Sequence, residues 1–317
     1  MNTFRSSDSW NDFIYYTSAE TSRTFLLSKY EKNRIAHAKT KSFDNCYPFI
    51  YYLEQGKCFF DQLEKSPITI KPILLFYGFI FLIKACILTI DPDYPSTTSV
   101  LAHGVSTRKK KKTNYLYFAD EVKIQKNGLF PHFSKTLFQQ DQLEGKKITI
   151  KRLFLEIPEI AIYLNKWEKQ EKMVTLLKME NKWEIPEQVL DLYKMTKERF
   201  YTYITEKTKG KTLLAIEKGN LYLYTDDQTP SDLIPFRYNY LKNSYHISLI
   251  KDEVSYFHEL MVHYLILYHL SMIARYEIEW WSEVINQKHG VEYPIIVQYI
   301  KLIEGKIPFL ISQLLFI

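Results

Sequence analysis

Glycine is scarce in this chain. Nine glycines in 317 residues argue against a glycine-rich nucleotide cradle and against a turn-dense all-β fold. Cysteine is scarcer: Cys46, Cys58 and Cys86 form no CxxC, and an odd number cannot all bridge. A disulfide framework is excluded, and a reduced, cytoplasmic setting is the expectation. Catalytic signatures are missing too. No GxxxxGK[ST] marks a P-loop and no GxSxG marks a nucleophile elbow. His258, Glu259 and His263 come near the zinc pattern HExxH, but the two histidines are five apart, about 140° from sharing a helix face. No metal or other cofactor is expected. The opening MNTFRSSDSWNDF lacks an apolar core and is not expected to act as a signal peptide.

Apolar and aromatic side chains are plentiful. At 46% hydrophobic and 16% aromatic, the chain can fill a substantial core, and disorder is not its default state. The formal charge of +6 is modest but concentrated, because Arg108 to Lys112 are consecutive cations. One basic cluster points to a local site or a tether; an even spread would suggest non-specific nucleic-acid coating.

The longest apolar run and this densest charge lie in one stretch, residues 72 to 112. Pro72 to Ile90 is near the length of a membrane span. Lys84 sits inside it, at a cost of about 2.5–3.5 kcal/mol at a bilayer centre, so a buried core helix is expected and no membrane. The helix should end before Asp91-Pro92, since the residue preceding proline is pushed out of helical geometry.

Helices are also expected over 10–34, 49–63, 186–204 and 252–285, with a last one opened by Pro294 and interrupted by Gly305 and Pro308. Asn127-Gly128 reads as a tight turn, which makes residues 121 to 133 a hairpin. Further strands are expected at 147–155, 172–179, 212–217, 220–225 and 244–250. The fold class is therefore α+β, predominantly α: a helical bundle from both ends of the chain around a mixed α/β middle containing β-hairpins. The expected regions are 1–114, 115–250 and 251–317.

The loop His103-Gly104-Val105-Ser106-Thr107-Arg108-Lys109-Lys110 is the leading candidate site. Gly104 permits close backbone approach, Ser106 and Thr107 offer hydroxyls, and Arg108 supplies a planar fork for phosphate, with Lys109 and Lys110 as added charge. A solvated basic loop is the plain alternative. Lys126 and His132 would complete a cationic pocket if the hairpin folded over the loop, with Phe130 and Phe133 as walls. Arg275, near Trp280 and Trp281, would reach a phosphate or base, or else pair internally with a carboxylate while the tryptophans anchor packing.

The blocks PILLFYGFIFLIKA (72–85), HGVSTRK (103–109), DEVKIQKNGLFPHF (120–133) and LSMIARYEIEWW (270–281) resemble the YaaC-like family of bacterial proteins, in order and across nearly the whole chain. The resemblance implies a cytoplasmic protein with a link to purine metabolism, IMP dehydrogenase being the implied partner. It also implies a bundle of HEPN type, some members of which are ribonucleases with an Arg-x4–6-His motif. That motif is missing here: Arg34 and His37 are too close, and Arg237 and His246 too far apart. The expected function is a non-catalytic regulator that binds a phosphate-bearing ligand, foremost a purine nucleotide. The alternatives are an RNA-binding or RNA-cleaving protein and a ligand-free protein–protein adaptor.

Overall fold

The computed structural model describes residues 5–108, 115–225, 232–288 and 290–316. The first helical region divides in two, α1 (Arg5–Tyr15) and α2 (Ala19–Lys32), where a single helix over 10–34 was expected. Polar side chains compete with the helix ladder at the break. The Thr21 hydroxyl donates to the carbonyls of Tyr15 and Ser18, both at 3.0 Å, and Ser22 donates to Tyr16.

Helix α3 (Ala38–Asp61) begins eleven residues before the expected Phe49 and carries Pro48 inside it. Helix α4 (Lys71–Leu88) follows, with Pro72 in its first turn, where a missing N–H leaves nothing unsatisfied. By length and composition α4 qualifies as a membrane span, yet 67% of it is buried inside the protein. Leu75, Phe76, Phe79, Leu82, Ile83 and Cys86 are wholly enclosed. The axes of α3 and α4 come close: a Cβ at Gly78 would lie 2.9 Å from the Cβ of Phe59. Buried Tyr30 on α2 ties the group together, donating to the Leu88 carbonyl at 2.8 Å and accepting from Asn45 at 3.2 Å.

After α4 come β1 (Val105–Thr107), β2 (Glu121–Ile124), α5 (Leu129–Phe138) and β3 (Lys147–Thr149), the strands forming one sheet in the order β1-β2-β3. Here the expected hairpin is overturned. Strand β2 pairs backwards with β1, Ser106 opposite Lys123, and Gly128 is the N-cap of α5. Leu129, Phe130 and Phe133 recur at helical spacing and are buried, so they form core and cannot wall an open pocket.

The middle of the chain holds α6 (Ile150–Phe154), α7 (Pro158–Glu168), β4 (Met173–Thr175), β5 (Leu177–Lys178), β6 (Lys182–Glu184), α8 (Glu187–Tyr193), α9 (Lys197–Thr208), β7 (Leu214–Glu217), β8 (Asn220–Tyr224), β9 (Phe236–Asn239) and β10 (Ser244–Ser248). Two small antiparallel sheets result, ordered β4-β10-β9 and β5-β6-β8-β7. The expected strand at 147–155 gives way to helix after three residues, because Thr149 accepts the Arg152 N–H at 3.3 Å as a cap. The expected helix at 186–204 is two helices.

The chain closes with α10 (Glu259–Tyr276), α11 (Ile278–Gln287) and α12 (Glu292–Phe316). The expected helix over 252–285 starts later, since Asp252 caps a short 3-10 turn at Glu253–Tyr256. Helix α12 runs unbroken through Gly305 and Pro308. Its burial against α1 and α4 outweighs the one hydrogen bond that proline removes.

Two compact units result: residues 1–148 with 263–317, and residues 149–262. The first joins the helices of both chain ends and the β1-β2-β3 sheet. The second holds the mixed α/β middle. The fold is α+β and predominantly α.

Scarce glycine leaves a mark on helix ends. Helices α5, α7, α8, α9 and α11 end on left-handed Gln139, Lys169, Lys194, Lys209 and Lys288, a conformation costing an L-residue about 1–2 kcal/mol. Lys194→Gly is expected to stabilise the second unit by about 0.5–1 kcal/mol, the unfolded-state entropy of glycine offsetting part of the gain. Thermal unfolding of that exposed variant checks it.

Candidate functional site

Gly104 and Gly128 set the geometry of the loop expected to bind phosphate. Both have positive φ, +76° and +127°, and the two backbones touch: a Cβ at Gly128 would lie 2.3 Å from the Cα and N of Gly104. The close approach that Gly104 permits is thus made to the protein itself. It leaves the His103 carbonyl accepting the Tyr264 hydroxyl at 2.9 Å and the Phe130 N–H at 3.2 Å.

The candidate residues then separate into three places. Ser106, Thr107 and Arg108 line a concavity of about 210 Å³ with Glu121, Lys123 and Lys147, and Ser106 Oγ accepts from Gln125 at 2.5 Å. Lys126 and His132 line a different one of about 300 Å³, where His132 pairs with Asp91 at 3.1 Å. Lys109 and Lys110 lie outside the described residues. His103 and Arg275, 172 positions apart in the sequence, meet in the third place.

That third place is built on facing helices. Tyr52 and Phe59 are seven apart on α3; Tyr77, Phe81 and Lys84 stand at i, i+4 and i+7 on α4, so each set shares a helix face. Their rings form a row with neighbouring planes 24–35° apart: Tyr52 to Phe81 at 6.3 Å, Phe81 to Phe59 at 5.8 Å, Phe59 to Tyr77 at 6.2 Å. All four are half-exposed. Lys84 Nζ lies 5.3 Å from the Phe81 centroid and 5.7 Å from Tyr52 at one end. At the other end the Arg275 guanidinium lies 5.8 Å from the Tyr77 centroid and donates to the Tyr77 hydroxyl oxygen at 3.1 Å. The His103 ring packs there too, 5.1 Å from Phe76, 5.6 Å from Tyr268 and 6.3 Å from Tyr77.

The electrostatics are one-sided. Arg275 bonds to the Ser271 carbonyl and to Tyr77, not to the carboxylate expected as its internal partner. Among the described residues neither Lys84 nor Arg275 makes an ion pair. Burial lowers the Lys84 pKa. Burial, and then the charges of Arg275 and Lys84, hold His103 below the usual imidazole value. A desolvated cation without a counter-ion is costly, and an incoming anion offsets that cost. Ring faces between the cations suit a planar group.

Sequence reasoning placed His103 and Arg275 among the candidates but took Lys84 only as an argument against a membrane span. Its signal was the i, i+4, i+7 spacing from Tyr77. The late histidines are core. His269 is fully buried and pairs with buried Asp120 at 2.9 Å, while Tyr115 donates to the same carboxylate at 2.7 Å. Trp281 is buried and donates to the Thr69 carbonyl at 2.9 Å. No group of His, Cys, Asp or Glu among the described residues is placed to hold a metal ion.

No curated protein and no solved structure matches the chain. Residues 14–315 match the family model described as YaaC-like Protein, and the chain belongs to that family.

Proposed function

We propose that this protein is a non-catalytic regulator whose first unit binds a phosphate-bearing purine nucleotide. The base lies against the Phe59–Tyr77 end of the aromatic row, and phosphate lies at Arg275 and His103. The observation that carries this reading is Arg275, with no ion-pair partner among the described residues, at the end of an aromatic row and beside the same Tyr77 ring as His103. In this reading occupancy changes contact with a protein partner, for which IMP dehydrogenase is the choice the family resemblance supplies.

Thermal unfolding against purine and pyrimidine nucleotides tests it. Ligand at 100 times its Kd should stabilise the protein by about 2.7 kcal/mol. The shift should favour purines, vanish in Arg275→Met and survive in Arg108→Ala. Loss in Arg108→Ala alone would move the site to the concavity of Ser106, Thr107, Arg108, Lys123 and Lys147, which is the second reading its three cations support. A flat panel would leave a protein–protein adaptor.

The site also predicts a pH dependence. His103 starts with a lowered pKa, and a bound phosphate raises it by favouring the imidazolium. Binding therefore takes up a proton, and affinity should increase as pH falls from about 7.5 to 5.5, around the ordinary imidazole value. His103→Gln should flatten that profile in calorimetric titrations.

A further inference from the structure

The two ends of the aromatic row are far apart for one phosphate. Lys84 stands seven residues beyond Tyr77 on α4, a rise of about 10 Å along the axis, and Arg275 is bound to Tyr77 itself. The span between them is ring surface: Phe81, Phe59 and Tyr77, in near-parallel succession. A nucleoside monophosphate seated with its phosphate on Arg275 and His103 leaves Lys84 against Phe81 and Tyr52 with no anion. The lysine is half-exposed, and its aliphatic stem starts from the most apolar helix of the chain. As a mere solubilising group it would point to water; instead its ammonium is held over two rings.

We infer that the ligand of this site carries phosphate at both ends of an aromatic stretch, as a dinucleotide phosphorylated at both its 5′ and its 3′ end does, with one terminal phosphate at Arg275 and His103 and the other at Lys84. The inference rests on the nucleotide reading above and names its ligand class. Bases stack on ring faces whatever their identity, each contributing about 1–3 kcal/mol. Two bases on four rings with a phosphate at each cation use the whole surface; a mononucleotide uses one end.

Calorimetric titration of the full chain with AMP and with the doubly end-phosphorylated dinucleotide pApAp, at 50 and 200 mM salt, separates the possibilities. We expect pApAp to bind at least tenfold more tightly than AMP. Its affinity should also fall more steeply with salt than that of AMP, because a second phosphate–cation attraction is screened. Lys84→Met should weaken pApAp at least tenfold and leave AMP within twofold, while Arg275→Met should weaken both. Lys84→Gln guards against a packing defect in the methionine variant, with unchanged thermal unfolding as the control. Equal affinity for AMP and pApAp, or pApAp binding untouched by either Lys84 variant, overturns the two-phosphate inference and leaves the mononucleotide reading standing. If neither compound binds the wild-type chain, the nucleotide reading itself fails.

Discussion

Arg237→Met is expected to destabilise the second unit by about 3–5 kcal/mol, the usual result of removing one partner from a buried ion pair. Arg237 is 1% exposed and Glu156 0%. Arg237 donates to Glu156 at 2.7 Å and also to the carbonyls of Phe257, Val254 and Ser255 at 2.7, 3.1 and 3.0 Å. Glu156 takes a second cation, Arg152, at 2.6 Å, and Arg152 is clamped in turn by both oxygens of Asp252 at 2.6 Å. Methionine keeps much of the volume but leaves three carbonyls and half of a buried carboxylate unsatisfied. Denaturant unfolding measures the loss. A cost under about 1 kcal/mol would mean that the network contributes little. Glu156→Gln combined with Arg237→Met should cost less than the sum of the single changes, since the second substitution removes the charge stranded by the first.

The same network fixes an acid limit. Burial raises the Glu156 pKa, and the charges of Arg237 and Arg152 outweigh it, leaving the carboxyl below its ordinary value. A depressed folded-state pKa contributes stability that is complete above the unfolded value, about 4.3, and is lost as pH falls through the folded one. Stability of the second unit should therefore drop below about pH 4, and Glu156→Gln should blunt that dependence.

Gly128→Ala is the other large effect, with an expected loss of at least about 3 kcal/mol in the first unit. Its φ of +127° is strained for any L-residue, a cost of about 1–3 kcal/mol by itself. The new methyl would also meet backbone at 2.3 Å in Gly104 and at 2.9 Å in the Ala102 carbonyl, and backbone cannot step aside as a flexible side chain does. The segment that must shift carries His103, so nucleotide affinity should fall together with stability. Gly145→Ala, whose φ of +79° is also positive but which has open space around it, shows what a left-handed dihedral costs without a backbone contact. It should cost only about 1–2 kcal/mol by thermal unfolding.

How much of this was legible beforehand can be seen residue by residue. The core role of Pro72–Ile90 followed from its apolar run, from Lys84 and from the proline at its head. The end of α4 before Asp91-Pro92 followed from local sterics. By contrast Asn127-Gly128 carried a strong turn signal but became a helix cap, because the aromatics after it gain more by burial as a helical face than by facing one another across a hairpin. Pro308 read as a break and is not one, since a helix enclosed along most of its length tolerates one lost hydrogen bond.

The candidate site divides in the same way. His103 and Arg275 were visible as residue types in unusual company; their meeting was not, because nothing local links positions so far apart. Arg237 and Glu156, 81 apart, gave no local signal whatever. Composition, periodicity and capping chemistry by themselves determined an α-rich protein with mixed strands in its middle, a buried central helix and a family resemblance along the chain. These depend on interactions within a few residues. Only the tertiary structure decided which cations lost their water, which rings lined up, and that Lys84, His103 and Arg275 share one surface. Desolvation and ring alignment come from the packing of α3, α4 and α10, and the sum of long-range contacts sets that packing.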